Sequence, residues 1–133
     1  MKTRAKRPTV IIADDNAAIH PLLSRILRSE LEVVESVFDG QALIEATSRL
    51  HPDLLVVDVY MPVLDGIEAV KRIHARFPDL PAVLVSTDAG EENVQRARLA
   101  GAHAVVNKAS AAEELLLAAR AALSSRGSET SNF

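Results

Sequence analysis

Short apolar runs alternate along this chain with longer stretches in which apolar positions recur every three or four residues. The runs are "TVIIAD" (9–14), "EVVESV" (32–37), "DLLVVD" (53–58), "PAVLVS" (81–86) and "AHAVVN" (102–107), all rich in valine, isoleucine or leucine. Strands covered on both faces have this composition, as in a parallel sheet. Between them, roughly at 17–29, 40–50, 65–76, 90–100 and 110–124, apolar residues fall at helical spacing. Leu43, Ala46 and Leu50 are one such set; Ile67, Val70, Ile73 and Phe77 are another. Asp39-Gly40, Asp65-Gly66 and Gly90 mark helix entries, and Gly101 marks an exit. Pro21 is tolerated only if the first helix begins late enough to place it in the first turn, or if that helix bends. The alternation predicts an α/β fold: a doubly wound, five-stranded parallel sheet flanked by five helices, with right-handed crossovers.

Bulk properties narrow the picture only a little. The chain has 133 residues, the length of one ordinary domain, and 48% of them are apolar, enough for a core. The net charge of −3 is too mild to suggest direct nucleic-acid binding through bulk electrostatics. Cysteine is absent, which removes disulfide and thiolate chemistry and fits a reducing, cytoplasmic setting. No apolar run approaches the ~18 residues of a membrane span. The start "MKTRAKRP" has no apolar signal core behind it, so residues 1–7 are expected to be a solvated basic tail. Residues 8–124 form the predicted domain, and the polar end, 125–133, is expected to be flexible.

In an open parallel sheet, ligands bind beyond the carboxyl ends of the strands, near the switch point of the topology. Here the first strand ends in Asp14-Asp15, the third in Asp58, the fourth in Ser86-Thr87 and the fifth in Asn107-Lys108. Three carboxylates converging on one rim raise one another's pKa unless a positive charge lies between them. A hard cation such as Mg²⁺ meets that need and leaves room for a phosphate oxygen. Lys108 adds a point charge, and Ser86 adds one hydrogen-bond donor. Metal, lysine and hydroxyl around an aspartate suit phosphoryl transfer, with Asp58 as a possible nucleophile.

Blander roles exist for each residue. Asp15-Asn16 fits an N-cap of the first helix, and Glu91-Glu92 and Glu113-Glu114 fit helix first turns. His20, His51, His74 and His103 share no metal-ligand spacing and are expected at the surface. A nucleotide hydrolase would need a glycine-rich loop ending in Gly-Lys, and no glycine here precedes a lysine. A dehalogenase-type phosphatase would need a second aspartate two residues after the nucleophile, where Tyr60 stands. A flavodoxin-like cofactor binder would want a Ser/Thr-rich loop after the first strand, which is acidic here.

Together, Asp14-Asp15, Asp58 in "VVDVYMPVLDG", Ser86 in "VLVST" and Lys108 after "GAHAVVN" resemble the receiver domain of bacterial two-component response regulators. The resemblance covers about residues 8–124 and implies a flavodoxin-like strand order 2-1-3-4-5. It implies that Asp58 accepts a phosphoryl group from a sensor histidine kinase or phosphotransfer protein. Mg²⁺, with Mn²⁺ as a substitute, would be held by Asp14, Asp15, Asp58 and the Tyr60 main-chain carbonyl. Lys108 and Ser86 would engage the phosphoryl group, and Thr87 and Val59 would help bind it. The chain would then be a signalling module that catalyses only its own phosphorylation and slow dephosphorylation, not an enzyme. Its switch face would be helix 4, strand 5 and helix 5, with homodimerisation on phosphorylation and no contact with nucleic acid or membrane. The alternative is a degenerate receiver that acts by protein contact without phosphate. No output domain follows within the chain, so it is expected to be a single-domain regulator or the receiver piece of a longer protein. Many relatives carry an aromatic residue three before the lysine and a proline after it; here these are Val105 and Ala109. Valine cannot serve as an aromatic rotor, and a cis bond before alanine would cost about 3–4 kcal/mol.

Overall fold

The structure, a computed structural model, describes residues 7–131. Strands β1 (Thr9–Ala13), β2 (Glu32–Val37), β3 (Leu54–Asp58), β4 (Ala82–Ser86) and β5 (Ala104–Asn107) alternate with α1 (Ile19–Leu27), α2 (Gly40–Leu50), α3 (Gly66–Arg76), α4 (Glu91–Ala100) and α5 (Ala111–Ser131). All neighbouring strands are parallel and the order is β2-β1-β3-β4-β5, as expected. The central strands β3 and β4 are buried along their whole length. One face packs Ile11, Leu55, Val57 and Leu84 against Leu43 of α2 and Ile67, Val70 and Ile73 of α3. The other packs Val10, Ile12, Val56 and Val83 against Leu23 and Leu27 of α1 and Leu115 of α5. The period of two along each strand sends alternate side chains to the two layers. Among the described residues no helix is long and apolar enough to cross a membrane.

Helix boundaries follow local chemistry. Asp39 and Asp65 are N-caps, accepting from the Ala42 and Glu68 N–H groups at 2.8 Å each. Gly101 ends α4 at φ 101°, in the left-handed region that glycine enters freely. α1 starts at Ile19, later than expected, so Pro21 lies in its first turn. The expected Asp15-Asn16 cap is displaced accordingly. Asn16 Oδ1 accepts from Ala18 N–H at 3.0 Å, closing the turn before the helix, and Ala18 is the N-cap, without a side-chain bond. After β5 a one-turn 3₁₀ helix, Lys108–Ser110, intervenes before α5, with Asn107 Oδ1 accepting from Ala109 N–H at 2.8 Å. No peptide bond among the described residues is cis, so Lys108-Ala109 is trans. α5 continues to Ser131, into the stretch expected to be a tail, because each added residue gains a backbone bond to the turn before it. Of the expected basic tail, residues 1–6 lie outside the described residues.

Two features position the loop after β3. Gly66 brings the start of α3 against Asp58, where a Cβ would meet the Asp58 carbonyl oxygen at 2.0 Å. Val63 has φ 70°, and the Leu64 N–H closes on the Pro62 carbonyl at 2.7 Å across it. A β-branched residue in this region is strained. Val63 is 81% exposed, so its side chain contributes little packing in return. Val63→Gly is therefore expected to raise stability by about 1 kcal/mol, read as a higher urea midpoint. An unchanged or lower midpoint would show that the turn holds no such strain.

Candidate functional site

The parallel sheet carries the ends of β1, β3, β4 and β5 to one rim. Asp14 follows β1 and is fully buried; Asp58 ends β3 and is 5% exposed; Asp15 projects into solvent. One carboxylate oxygen from each of the three lies within 4.8 Å of the others. Lys108, just past β5, sets its Nζ 2.9 Å from Asp14 Oδ2 and 3.4 Å from Asp58 Oδ1. The resemblance directs Lys108 to a phosphoryl group on Asp58; the structure shares the ammonium between the two acids and brings it closer to Asp14.

Electrostatics reflect this crowding. Burial, reinforced by the Asp14 charge, pushes the Asp58 carboxyl from 3.8 up to about 6. Lys108 and a hydrogen bond from the Tyr60 backbone N–H pull the other way and only partly compensate. Burial disfavours the Lys108 ammonium, but Asp14 and Asp58 outweigh it and raise its pKa, so it is charged at neutral pH.

The other predicted residues are placed less simply. Ser86 is buried, but its hydroxyl is engaged within its own loop: it donates to the Asp88 carbonyl at 2.9 Å and accepts from the Asp88 N–H at 3.0 Å. Thr87 is exposed at the rim. Val59 is withdrawn from the predicted phosphate-binding set in this state. Its N–H donates to the Val85 carbonyl at 3.1 Å, extending the pairing of β3 with β4, and its carbonyl accepts from the Gly66 N–H at the start of α3 at 2.8 Å. The amide directed at the Asp58 carboxylate is that of Tyr60. The Tyr60 hydroxyl accepts from Asn93 Nδ2 at 2.8 Å, a contact with α4 that no local pattern announces.

His20 also corrects an expectation. It is buried rather than at the surface, and its Nε2 lies 2.8 Å from the Asp14 carbonyl, with the Phe38 ring 4.8 Å from its own. The Asp14 carboxylate is tied on its other oxygen, where Oδ1 accepts from Asn16 N–H at 2.9 Å. These contacts hold the acidic turn from below. His74 is half-buried, its Nε2 2.6 Å from the Leu80 carbonyl.

The residues fit a divalent oxygen-seeking cation. The donor set is all oxygen, and buried Asp14 Oδ2 has no close partner among the described residues other than the Lys108 ammonium at 2.9 Å. Asp14, Asp15 and Asp58 would supply carboxylates, too few to strip all water from the ion, as suits Mg²⁺.

A family model described as the response regulator receiver domain matches residues 10–120. A protein-glutamate methylesterase/protein-glutamine glutaminase of Rhodospirillum centenum is 39% identical over 110 residues, covering 80% of this chain and 28% of that protein. One from Halalkalibacterium halodurans is 37% identical over 114 residues, covering 83% and 32%. The chain thus spans about a third or less of the length of these relatives. The crystal structure of the response regulator domain of Thermotoga maritima CheB superposes with a TM-score of 0.82 at 30% identity, covering 90% of this chain and 98% of that one.

The raised Asp58 pKa gives a pH signature in the absence of divalent metal. Between its unfolded value of 3.8 and about 6, the folded chain holds a proton that the unfolded chain has lost, so stability falls as pH rises through that window. Above it the ionised carboxylate costs roughly 3 kcal/mol. Asp58→Asn is expected to recover roughly 2 kcal/mol of this at pH 7.5 and almost none at pH 4. Urea unfolding in a chelator at both pH values checks this. Equal stabilisation at the two would assign the gain to something other than charge.

Proposed function

The chain belongs to the response regulator receiver domain family, and from that premise we propose that it is a phosphorylation switch with Asp58 as the acceptor. One observation carries the reading: a nearly buried carboxylate at a strand end, with its pKa raised, shares a single ammonium with Asp14 beside a second acid, Asp15.

In the transfer, an Asp58 carboxylate oxygen attacks the phosphorus of a phosphohistidine on a sensor kinase or phosphotransfer protein. The O–P bond forms, the N–P bond breaks, and the imidazole leaves with its electron pair. Bound Mg²⁺, or Mn²⁺ in its place, would neutralise charge between carboxylates and phosphoryl oxygens. Asp15 and Asp58 would hold the ion directly, Asp14 largely through water, and the Tyr60 main-chain carbonyl would complete the protein's share. Lys108 already lies between Asp14 and Asp58 and is positioned to follow the charge onto a phosphoryl oxygen. The Tyr60 N–H and the exposed Thr87 amide are the neutral donors within the same rim.

Ser86 is the proposed reporter of the phosphoryl group. Its proton is spent on the Asp88 carbonyl in the resting state, so engaging the phosphoryl group opens the Ser86–Asp88 turn and displaces residues 87–91. The output face would be α4, β5 and α5, with homodimerisation as one consequence. Val105, stiff at χ1, leaves backbone movement as the means.

Acetyl phosphate with Mg²⁺ tests the acceptor: intact mass should rise by one phosphoryl group in the wild-type chain and not in Asp58→Asn. Labelling of the variant at the wild-type rate would remove Asp58 from the role. A wild-type chain that takes no label would favour the alternative of a receiver acting by protein contact alone. Titration with Mg²⁺ should move the backbone amide signals of residues 14–16 and 58–60 at millimolar metal, and silence there would remove the metal. Ser86→Ala should still accept phosphate yet lose most of the displacement of residues 87–91 seen with a phosphate mimic.

A further inference from the structure

α4 is held differently from its neighbours. α3 buries Ile67, Val70 and Ile73, and α1 buries Leu23 and Leu27. The buried residues of α4 are Asn93, Ala97 and Ala100, and its Leu99 is 79% exposed. Hydrophobic stabilisation follows apolar area, so two alanines anchor a helix weakly. Elements with so little buried apolar contact are the first to shift.

Polar contacts fix its first turns instead. Asn93 is 5% exposed, and its Nδ2 donates to the Tyr60 hydroxyl at 2.8 Å and to the Asp88 carbonyl at 2.9 Å. That same Asp88 carbonyl accepts the Ser86 hydroxyl. One turn on, Arg96 donates to Asn93 Oδ1 at 3.4 Å and stands 3.7 Å from Asp65, the cap of α3. Asn93 is therefore the point where the loop after β3, the loop after β4 and α4 are joined.

We propose that Asn93 is a latch that holds α4 in its resting position and that Ser86, on engaging the phosphoryl group, releases it. The inference rests on Asp58 being the acceptor. Ser86 has one O–H proton and cannot give it to Asp88 and to a phosphoryl oxygen at once. When the proton goes to the phosphoryl group, the turn that presents the Asp88 carbonyl to Asn93 opens. α4 then keeps its alanines, the Tyr60 bond and the exposed Arg96–Asp65 pair, and the helix moves. Tyr60 carries the other strand of the coupling, since it lies two residues from Asp58. Coupling is reciprocal, so weakening the latch must also strengthen phosphoryl-mimic binding.

The test uses Asn93→Ala and Tyr60→Phe in the full chain, with beryllofluoride and Mg²⁺ as the probe. Calorimetry gives affinity, and hydrogen exchange over residues 88–97 gives the state of α4. Asn93→Ala is expected to bind the mimic about fivefold tighter. Its α4 amides should exchange about tenfold faster without the mimic, a modest factor for the loss of the hydrogen bonds that Asn93 makes. The further change on adding the mimic should fall below half of the wild-type change. Tyr60→Phe, a substitution at a half-exposed ring, should move all three readouts the same way by less, and it decides alone if Asn93→Ala does not fold. Faster exchange with unchanged or weaker mimic binding would make Asn93 merely structural and overturn the latch, as would unaltered exchange. A wild-type chain that binds no mimic overturns the acceptor reading and the latch with it. Wild-type binding combined with either failure in the variants overturns the latch alone.

Discussion

The Lys108 ammonium stands between two buried carboxylates, 2.9 Å from Asp14 and 3.4 Å from Asp58, and the rest of the rim is arranged around that triangle. Two acids at this distance cannot both remain ionised in a buried setting without a compensating charge. Burial, and after it the Asp14 charge, outweighs what one lysine supplies, which is why Asp58 keeps a pKa near 6. The cluster of three acids around one lysine therefore keeps a residual demand for positive charge. A divalent cation would meet that demand, and in the proposed function a phosphoryl group arriving on Asp58 would enter a place that already holds positive charge.

Much of the fold serves to bring those three side chains together. They sit just after β1, at the end of β3 and just after β5, and none of them is near another in sequence. Strand order β2-β1-β3-β4-β5 makes β1 and β3 neighbours and sets β4 between β3 and β5. Gly66 lets α3 start directly against the Asp58 carbonyl, and the strained turn at Val63 sits in the connection between them. Below the acidic turn, His20 and Asn16 hold Asp14 by its carbonyl and its Oδ1. The core is thus rigid where charge must be held.

The opposite holds at α4. Large apolar side chains lock α1 and α3 to the sheet, while α4 offers two alanines and an asparagine. Hydrogen bonds are directional and exchangeable in a way that buried leucines are not. A helix held by Asn93 can be released by changing one acceptor's partners, with no part of the core repacked. Stability and responsiveness are divided between neighbouring helices of one sheet.

The amino-acid sequence by itself determined the alternation of strands and helices, the caps at Asp39 and Asp65, the turn at Gly101 and the gathering of Asp14, Asp15, Asp58 and Lys108 on one rim. These were legible because they rest on local spacing and on the rule that parallel strands deliver their carboxyl ends to one side. Pro21 left two choices for α1, a late start or a bend, and the structure takes the late start. Only the tertiary structure decided that Lys108 lies closer to Asp14, that the Tyr60 amide rather than Val59 faces Asp58, that His20 is buried and that Ser86 is turned to Asp88. It also joined Tyr60, in the loop after β3, to Asn93 of α4. Such contacts have no period: a polar pair between distant segments is set by the relative placement of whole elements, and nothing in either residue's neighbourhood records its partner.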